Sequence, residues 1–331
     1  MNGSRLQYAL ITPARNEEAF IELTIQSVVS QTVRPVRWLV VSDGSTDRTN
    51  EIVTRYALEH DWIELLEMPK RQGRDFGGKA DSINAGYSSL VTRLPSRSPA
   101  EAGQPSVPFD FVGSLDADIS FEKDYFAFLL QKFADDSELG VAGTPFSENG
   151  ETYDYRFSSA DHVSGACQLF RRECFEAIGG YVPVKGGGID VIAVLTARLI
   201  GWRTQTFTEK VSHHHRLMGS AQQRRKILAD FDLGQKDYRL GFHPVWQVCR
   251  SLYQMTRRPY VIGGAALFTG YFWSMLRRCH RSVSHELHKF QREDQMRRLR
   301  KFFGIRVLMS SAQDERVIAF NKTERRCDSL E

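Results

Sequence analysis

The stretch FDFVGSLDAD, Phe109 to Asp118, joins an apolar run to two acids spaced two apart. The run from Phe109 to Leu115 predicts a buried strand, and the acids mark its carboxyl end. In an extended segment residues two apart point the same way, so Asp116 and Asp118 are expected to face one site. Two close carboxylates repel unless a cation lies between them. Hard oxygen ligands favour Mg2+ or Mn2+, which typically bridges the phosphates of a nucleotide. A turn with an aspartate cap is the plainer reading of the same residues.

Outward from this strand, the first half of the chain alternates two patterns. Short apolar runs at Tyr8 to Thr12, Trp38 to Val41 and Ile63 to Leu66 predict three earlier strands. Helical spacing is read over Glu17 to Ser30, Thr46 to Glu59, Lys79 to Leu90 and Lys123 to Phe133. Strands alternating with helices imply an α/β domain with a mostly parallel sheet covered on both faces. Residues 92–108, rich in Pro, Ser, Gly and Ala, read as a surface loop inserted between two elements. The first strand ends in PARNE, residues 13–17, and the second in DGSTD, residues 43–47. Open parallel sheets bind ligands at the carboxyl ends of their strands. Acidic, Gly/Ser-rich turns there suit ribose hydroxyls and base edges, and backbone N–H groups suit phosphate. Each taken alone is also a turn with helix-capping residues.

The chain has 331 residues, 41% hydrophobic and 25% charged, enough apolar material for a core and too much for a disordered or collagen-like protein. A formal charge of +4 is too small to argue for nucleic acid as a partner. The five cysteines, Cys167, Cys174, Cys249, Cys279 and Cys327, form no CxxC pair, which disfavours zinc and disulfide frameworks and fits a reducing compartment. The N-terminal residues carry no apolar run of signal-peptide length. A cytoplasmic protein, or one facing the cytoplasm, is expected. No GxGxxG follows the first strand, which disfavours a dinucleotide-binding dehydrogenase.

The order PARNE, DGSTD, then an apolar strand ending in DAD resembles the nucleotide-sugar half of a GT-A glycosyltransferase of family 2. GGYVPVKGGGID, residues 179–190, with the helix and RTQTF after it, is similar to that family's acceptor half. The resemblance covers about residues 6–220. It implies a Rossmann-like GT-A catalytic domain over 1–220, with a donor half at about 6–150 and an acceptor half at about 151–220. It implies that Pro13, Asn16 and Glu17 shape the nucleotide pocket, with Asp43 on base or ribose and Lys79 near the donor phosphates. Asp116 and Asp118 would hold donor and metal, and Asp190 would be the catalytic base. His214-His215-Arg216 resembles a stretch that can supply a further metal ligand, with His214 and His215 preferred. His213 adjoins them, so the register is open, and a surface histidine cluster is the plainer reading. Asp190 likewise reads as a helix N-cap.

The implied reaction is an inverting transfer of a single sugar from a UDP-, GDP- or dTDP-sugar to a glycan or lipid-linked glycan, in polysaccharide or glycolipid assembly. A base takes the acceptor hydroxyl's proton on one face while Mg2+ or Mn2+ stabilises the departing diphosphate on the other. Polymer synthases of the family usually carry QxxRW, and Gln222-Gln223-Arg224-Arg225-Lys226 lacks the Trp, which favours single addition. The alternatives are a non-catalytic nucleotide-sugar-binding scaffold at a membrane, and a nucleotidyltransferase.

Residues 221–331 read as helical and basic. Within them, 260–276 is apolar, about 25 Å long as a helix, and short of the roughly 30 Å hydrocarbon core. Arg257 and Arg258 precede it, and Arg277, Arg278 and Arg281 follow. Basic flanks on both sides oppose a single crossing and predict an interfacial or re-entrant helix, with a buried core helix as the alternative. The basic amphipathic stretch after it, Leu287 to Phe303, adds to an expected attachment to anionic membrane at the cytoplasmic face.

Overall fold

The computed structural model describes residues 6–69, 76–92, 109–148, 151–152, 160–216 and 223–304. The chain divides into two compact units, Met1–Ala197 with Trp202–Arg225, and Arg198–Gly201 with Lys226–Glu331.

The first unit opens with the expected alternation. It runs β1 (Tyr8–Ala14), α1 (Ile21–Val29), β2 (Arg37–Ser42), α2 (Thr49–Glu59), β3 (Ile63–Glu67), α3 (Phe76–Val91) and β4 (Phe111–Leu115). There follow β5 (Ile119–Ser120), α4 (Tyr125–Asp135), β6 (Leu139–Gly143), β7 (Phe146–Glu148), β8 (Glu151–Thr152), β9 (Cys167–Arg171) and α5 (Arg172–Ala177). The series closes with α6 (Ile189–Leu199), β10 (Arg203–Thr206) and β11 (Ser212–His214). Seven strands form the main sheet in the order β10-β6-β9-β4-β1-β2-β3. All neighbours are parallel except β9, which runs antiparallel to both β4 and β6. A second sheet, β5-β11-β7-β8, lies over residues after β4.

Alternation along β1 divides the core into two layers. Tyr8 and Leu10 enter one with Trp38, Val40, Phe111 and Phe126, while Ala9 and Ile11 enter the other with Leu39, Val41, Ile83 and Phe170. Period-two side chains on a sheet covered on both faces require this split. Gly113 sits where a Cβ would come 2.5 Å from Leu10 Cδ2, so the Leu10 side chain occupies the space a side chain on β4 would need.

The sequence reading did not recognise β6 and β9 as strands. Residues 93–108, nearly all of the expected loop, lie outside the described residues. The helix expected from Thr46 begins at Thr49 with Arg48 at its N-cap, and Asp47 stands just before: its Oδ1 accepts from Thr49 N–H and Thr49 Oγ1, and its Oδ2 from Glu18 N–H. Burial works to raise this carboxyl's pKa, and the hydrogen bonds outweigh it, so it is held below its ordinary value. Cys167 and Cys174 are buried, and burial pushes both thiols up to about 12, which removes them as nucleophiles. Arg171 is structural: its guanidinium donates to the carbonyls of Phe133, Asp136 and Leu139.

The second unit is helical in its described residues, with most of α7 (Gln223–Arg239), then α8 (Pro244–Met255), α9 (Ile262–Leu276) and α10 (His285–Phe302). His243 caps α8 through Nδ1, which accepts from Val245 N–H, and Ser284 caps α10 by accepting from Leu287 N–H. Among the described residues no helix is long and apolar enough to cross a membrane.

Candidate active site

The turns after β1, β2 and β4 meet at one edge of the main sheet. They enclose a cavity lined by Pro13, Ala14, Arg15, Glu17, Asp43, Lys79, Ser82, Asp116, Ala117, Asp118 and Arg216. The parallel register places these strand ends side by side: Ala14 pairs with Ser42, and Ile11 with Ser114. Asp43 N–H donates to Ala14 O, and Asn16 Oδ1 accepts from Thr46 N–H, so the first two turns are stitched together. Asn16 holds a left-handed backbone, φ 54°, and is not among the cavity-lining residues. Its side chain is committed to joining the turns, a role suited to a residue that tolerates positive φ and carries a short acceptor.

Each acid of the cavity has a basic neighbour. Asp43 Oδ2 lies 3.3 Å from Arg15 Nη1. Lys79, on α3, reaches Asp116 Oδ1 at 2.5 Å. Burial works to lower the Lys79 pKa, but Asp116, joined by Asp190 and Asp118, outweighs it and holds the ammonium above its ordinary value. Arg216 spans Glu17 and Asp118, with its Nε 3.1 Å from Asp118 Oδ2. The strand expected to carry both acids in extended form ends at Leu115, and the chain turns through Ala117 and Asp118. The two carboxylates still line one cavity, but they engage different partners.

The three histidines separate because β11 alternates. His214 turns to the acids: its Nε2 is 3.5 Å from Asp118 Oδ1, and its Nδ1 is 3.1 Å from Glu148 Oε1. Both His214 Nδ1 and Glu148 Oε1 are buried, with no hydrogen bond of standard geometry to either. His213 and His215 face elsewhere, to Ser147 Oγ at 2.9 Å and Ser120 Oγ at 2.8 Å. Burial, opposed by Asp118, holds the His215 imidazole below its ordinary pKa. His215, expected beside His214 as a ligand, is thereby drawn to a hydroxyl.

Asp190 opens α6 and does not line the cavity. Gly187 and Gly188, at φ 83° and 86°, bend the chain into that helix through conformations costly for any other residue. Gly165 packs against Asp190, since a Cβ there would lie 3.0 Å from its Oδ2, and Lys79 Nζ is 3.5 Å from Gly165 O. Asp190 is therefore close enough to act on the Lys79 charge while standing apart from the cavity. Tyr181 is clamped nearby: Asn84 donates to its carbonyl and accepts from its N–H, and its hydroxyl donates to Gln168 Oε1.

Four residues at or beside the cavity carry no individual role in the sequence reading: Arg15, Ser82, Arg216 and Glu148. Ser82 is one helical turn beyond Lys79 and so shares its face, a signal that was present. Its buried hydroxyl has no partner among the described residues. Arg216 directly follows the histidines, while nothing local marks Glu148.

Residues 9–88 match the family described as Glycosyl transferase family 2. This match spans β1 to most of α3. Among curated relatives, poly-beta-1,6-N-acetyl-D-glucosamine synthase of Staphylococcus aureus (strain COL) is 23% identical over 199 residues, 60% of this chain and 42% of that one. The synthase of Staphylococcus epidermidis is 20% identical over 264 residues, 79% of this chain and 55% of that one. The chain thus spans about half the length of the curated relatives it matches. Among solved structures, the mannosyltransferase PcManGT of Pyrobaculum calidifontis, in complex with GDP-Man and Mn2+, aligns with TM-score 0.53 and 17% identity, over 90% of this chain and 81% of that one. S. aureus TarS 1-349 in complex with UDP-GlcNAc aligns with TM-score 0.50 and 13% identity, over 86% and 78%. At these identities the likeness establishes the fold, GT-A, with its mostly parallel sheet.

Proposed function

We propose that this chain transfers one sugar, with inversion, from a nucleoside-diphosphate sugar to an acceptor hydroxyl on a lipid-linked glycan. The observation that carries the reading is the cavity at the carboxyl ends of β1, β2 and β4, where Lys79, Arg15 and Arg216 stand against Asp43, Asp116 and Asp118. Cations in such a cleft suit a diphosphate, and Asp43 suits donors from ribose or base. The match of residues 9–88 to family 2 supports the class of reaction.

The donor set fits a divalent cation, Mg2+ or Mn2+. Asp118 and His214 present an oxygen and a nitrogen 3.5 Å apart, and Glu148 stands behind the second nitrogen of His214, as a carboxylate commonly does behind a ligating imidazole. Among the described residues no three His, Cys, Asp or Glu side chains form a complete site, so substrate phosphate and water would supply the remaining ligands. Asp118 and His214 would hold the ion, with Asp116 adjoining, and the ion supplies charge stabilisation of the departing diphosphate when bound.

The remaining roles belong to the chain itself. Lys79 and Arg216 bind and orient the diphosphate. The acceptor oxygen bonds to the anomeric carbon as the bond from that carbon to the phosphate oxygen breaks. Asp190 takes the acceptor proton onto its carboxylate. The test is nucleotide release from a panel of nucleoside-diphosphate sugars with Mn2+ or Mg2+, with and without chelator and membrane lipid extract. Metal-dependent release that Asp118→Ala abolishes is expected; donor binding without turnover under every condition would replace the enzyme with a scaffold.

A further inference from the structure

The helical unit buries polar side chains beside its apolar ones and exposes several large apolar ones. Beside Leu240, Leu267 and Tyr271, its interior holds Gln247, Ser251, Ser274, Asp237 and Gln291, each at most 3% exposed. Its surface holds Leu252 at 57%, Ile262 at 50%, Trp273 at 47% and Leu276 at 78%. Buried polar side chains and a large exposed apolar patch are the informative departures from the usual pattern.

The departure is sharpest on α9. The side packed inward is mostly small, with Gly263, Gly264, Ala266, Gly270 and Ser274 among its buried residues. A Cβ on Gly264 would strike the Ser251 carbonyl and one on Gly270 the Phe231 carbonyl, so the backbones of this unit approach too closely for side chains. The outward side carries Ile262, Phe268, Trp273, Met275 and Leu276, with Ala265 and Phe272 half-buried between them. These positions recur every three or four residues and form one continuous stripe. Thr269, the hydroxyl on that side, donates to the carbonyls of Ala265 and Ala266 and leaves no donor unsatisfied. Small residues inward and large apolar residues outward is how helices pack when hydrocarbon surrounds them.

The charge around the stripe names its partner. Residues 238–285 contain seven arginines and no Asp or Glu. Arg258 lies exposed before α9, and Arg277 and Arg278 lie exposed after it. The Arg277 guanidinium stands 4.6 Å from the Trp273 ring centroid, which puts a cation and an indole together at one end of the stripe. That pairing suits the headgroup level of a bilayer. Fifteen helical residues span about 22 Å, against a hydrocarbon core of about 30 Å. With cations at both ends, the helix cannot cross.

We propose that α9 is an in-plane membrane anchor, with its apolar stripe among the acyl chains of an anionic bilayer and Arg258, Arg277 and Arg278 on the headgroups. The proposal does not rest on sugar transfer, and its test does not read turnover. Full-length protein is sedimented with mixed phosphatidylcholine and phosphatidylglycerol vesicles, whose anionic surface attracts basic segments, and with phosphatidylcholine alone. The anionic vesicles should capture it at low salt and release most of it at high salt. Trp273→Glu with Leu276→Glu should weaken capture at least tenfold with thermal unfolding unchanged, because both side chains are exposed. Gln at Arg258, Arg277 and Arg278 should weaken it comparably and flatten the salt dependence. Acyl-chain-brominated lipid should quench fluorescence in the parent protein and not in Trp273→Phe. Capture that survives the double Glu substitution, quenching unaffected by Trp273→Phe, or a lipid-free dimer that the Glu pair converts to a monomer while vesicle capture persists, would overturn the proposal.

Discussion

The Lys79 ammonium lies 2.5 Å from Asp116 Oδ1, and this ion pair joins α3 to the residue that ends β4. Each side chain is about a quarter exposed, so the pair is accessible to a ligand yet too enclosed for either charge to stand alone. Lys79→Met should lower stability by about 1–3 kcal/mol, the cost of stranding a partly buried carboxylate. It should also weaken donor binding by roughly tenfold or more. Urea unfolding and calorimetric titration with UDP and GDP check the two effects, and Lys79→Arg should recover more stability than binding.

Ser82 offers a cleaner separation of binding from folding. Its hydroxyl is buried at the cavity wall without a partner among the described residues. Replacing it with Ala removes an unsatisfied polar group, so Ser82→Ala should match or exceed the parent in stability. If the hydroxyl meets the donor, the same variant raises the donor KM several-fold with kcat little changed. A loss of stability with unchanged KM would reject that role.

Asp190 acts, in the proposed reaction, only on the acceptor's proton. Asp190→Asn keeps the shape of the side chain and the start of α6, so donor binding should persist. Transfer should fall by roughly 10²- to 10⁴-fold, the usual contribution of a general base. Equal transfer rates would remove Asp190 from the reaction.

Gly179 and Gly180 both have positive φ, 72° and 75°, and differ in what a side chain would meet. A Cβ on Gly179 meets nothing within 4 Å, while one on Gly180 lies 2.6 Å from Asn84 Oδ1. Gly179→Ala should cost about 1 kcal/mol from backbone strain alone. Gly180→Ala should cost more, because Asn84 must also surrender its clasp on Tyr181. The difference between the two, read by urea unfolding, is the contribution of that clasp.

His288 sets a pH dependence in the helical unit. Burial, joined by Arg292 and Arg281, lowers its pKa from 6.5 to about 4, and a Cβ on Gly241 would meet its ring. Between those pH values the unfolded chain binds a proton that the folded unit refuses. The stabilising contribution is therefore complete above pH 6.5 and is lost as the pH falls toward 4. Urea midpoints should decline over that window, and His288→Gln should flatten the decline.

Much of the first unit was legible because its signals are local. Apolar runs and helical spacing located β1 to β4 and α1 to α4 within a few residues, since period and burial are read within one element. β9 was not legible as a strand of the main sheet, because Cys167 to Arg171 carries nothing that states which strands it will pair with or in which direction. The histidine run shows the same limit at the site. Sequence could narrow the choice to His214 and His215, but pairing with Ser120 and Ile119 decides which ring faces Asp118.

By itself, the sequence determined the alternating fold, the acidic turns at the strand ends and the apolar segment flanked by arginines. Each is written in neighbouring residues, where period, turn chemistry and charge act at short range. Tertiary structure decided that Arg216 meets Glu17 across 199 positions, that Lys79 answers Asp116, and that α9 turns its large apolar side chains outward. Those outcomes depend on which surfaces pack together. The buried small residues of α9 illustrate the reason: close backbone packing claimed its glycines, and the bulkier face was left to the surface.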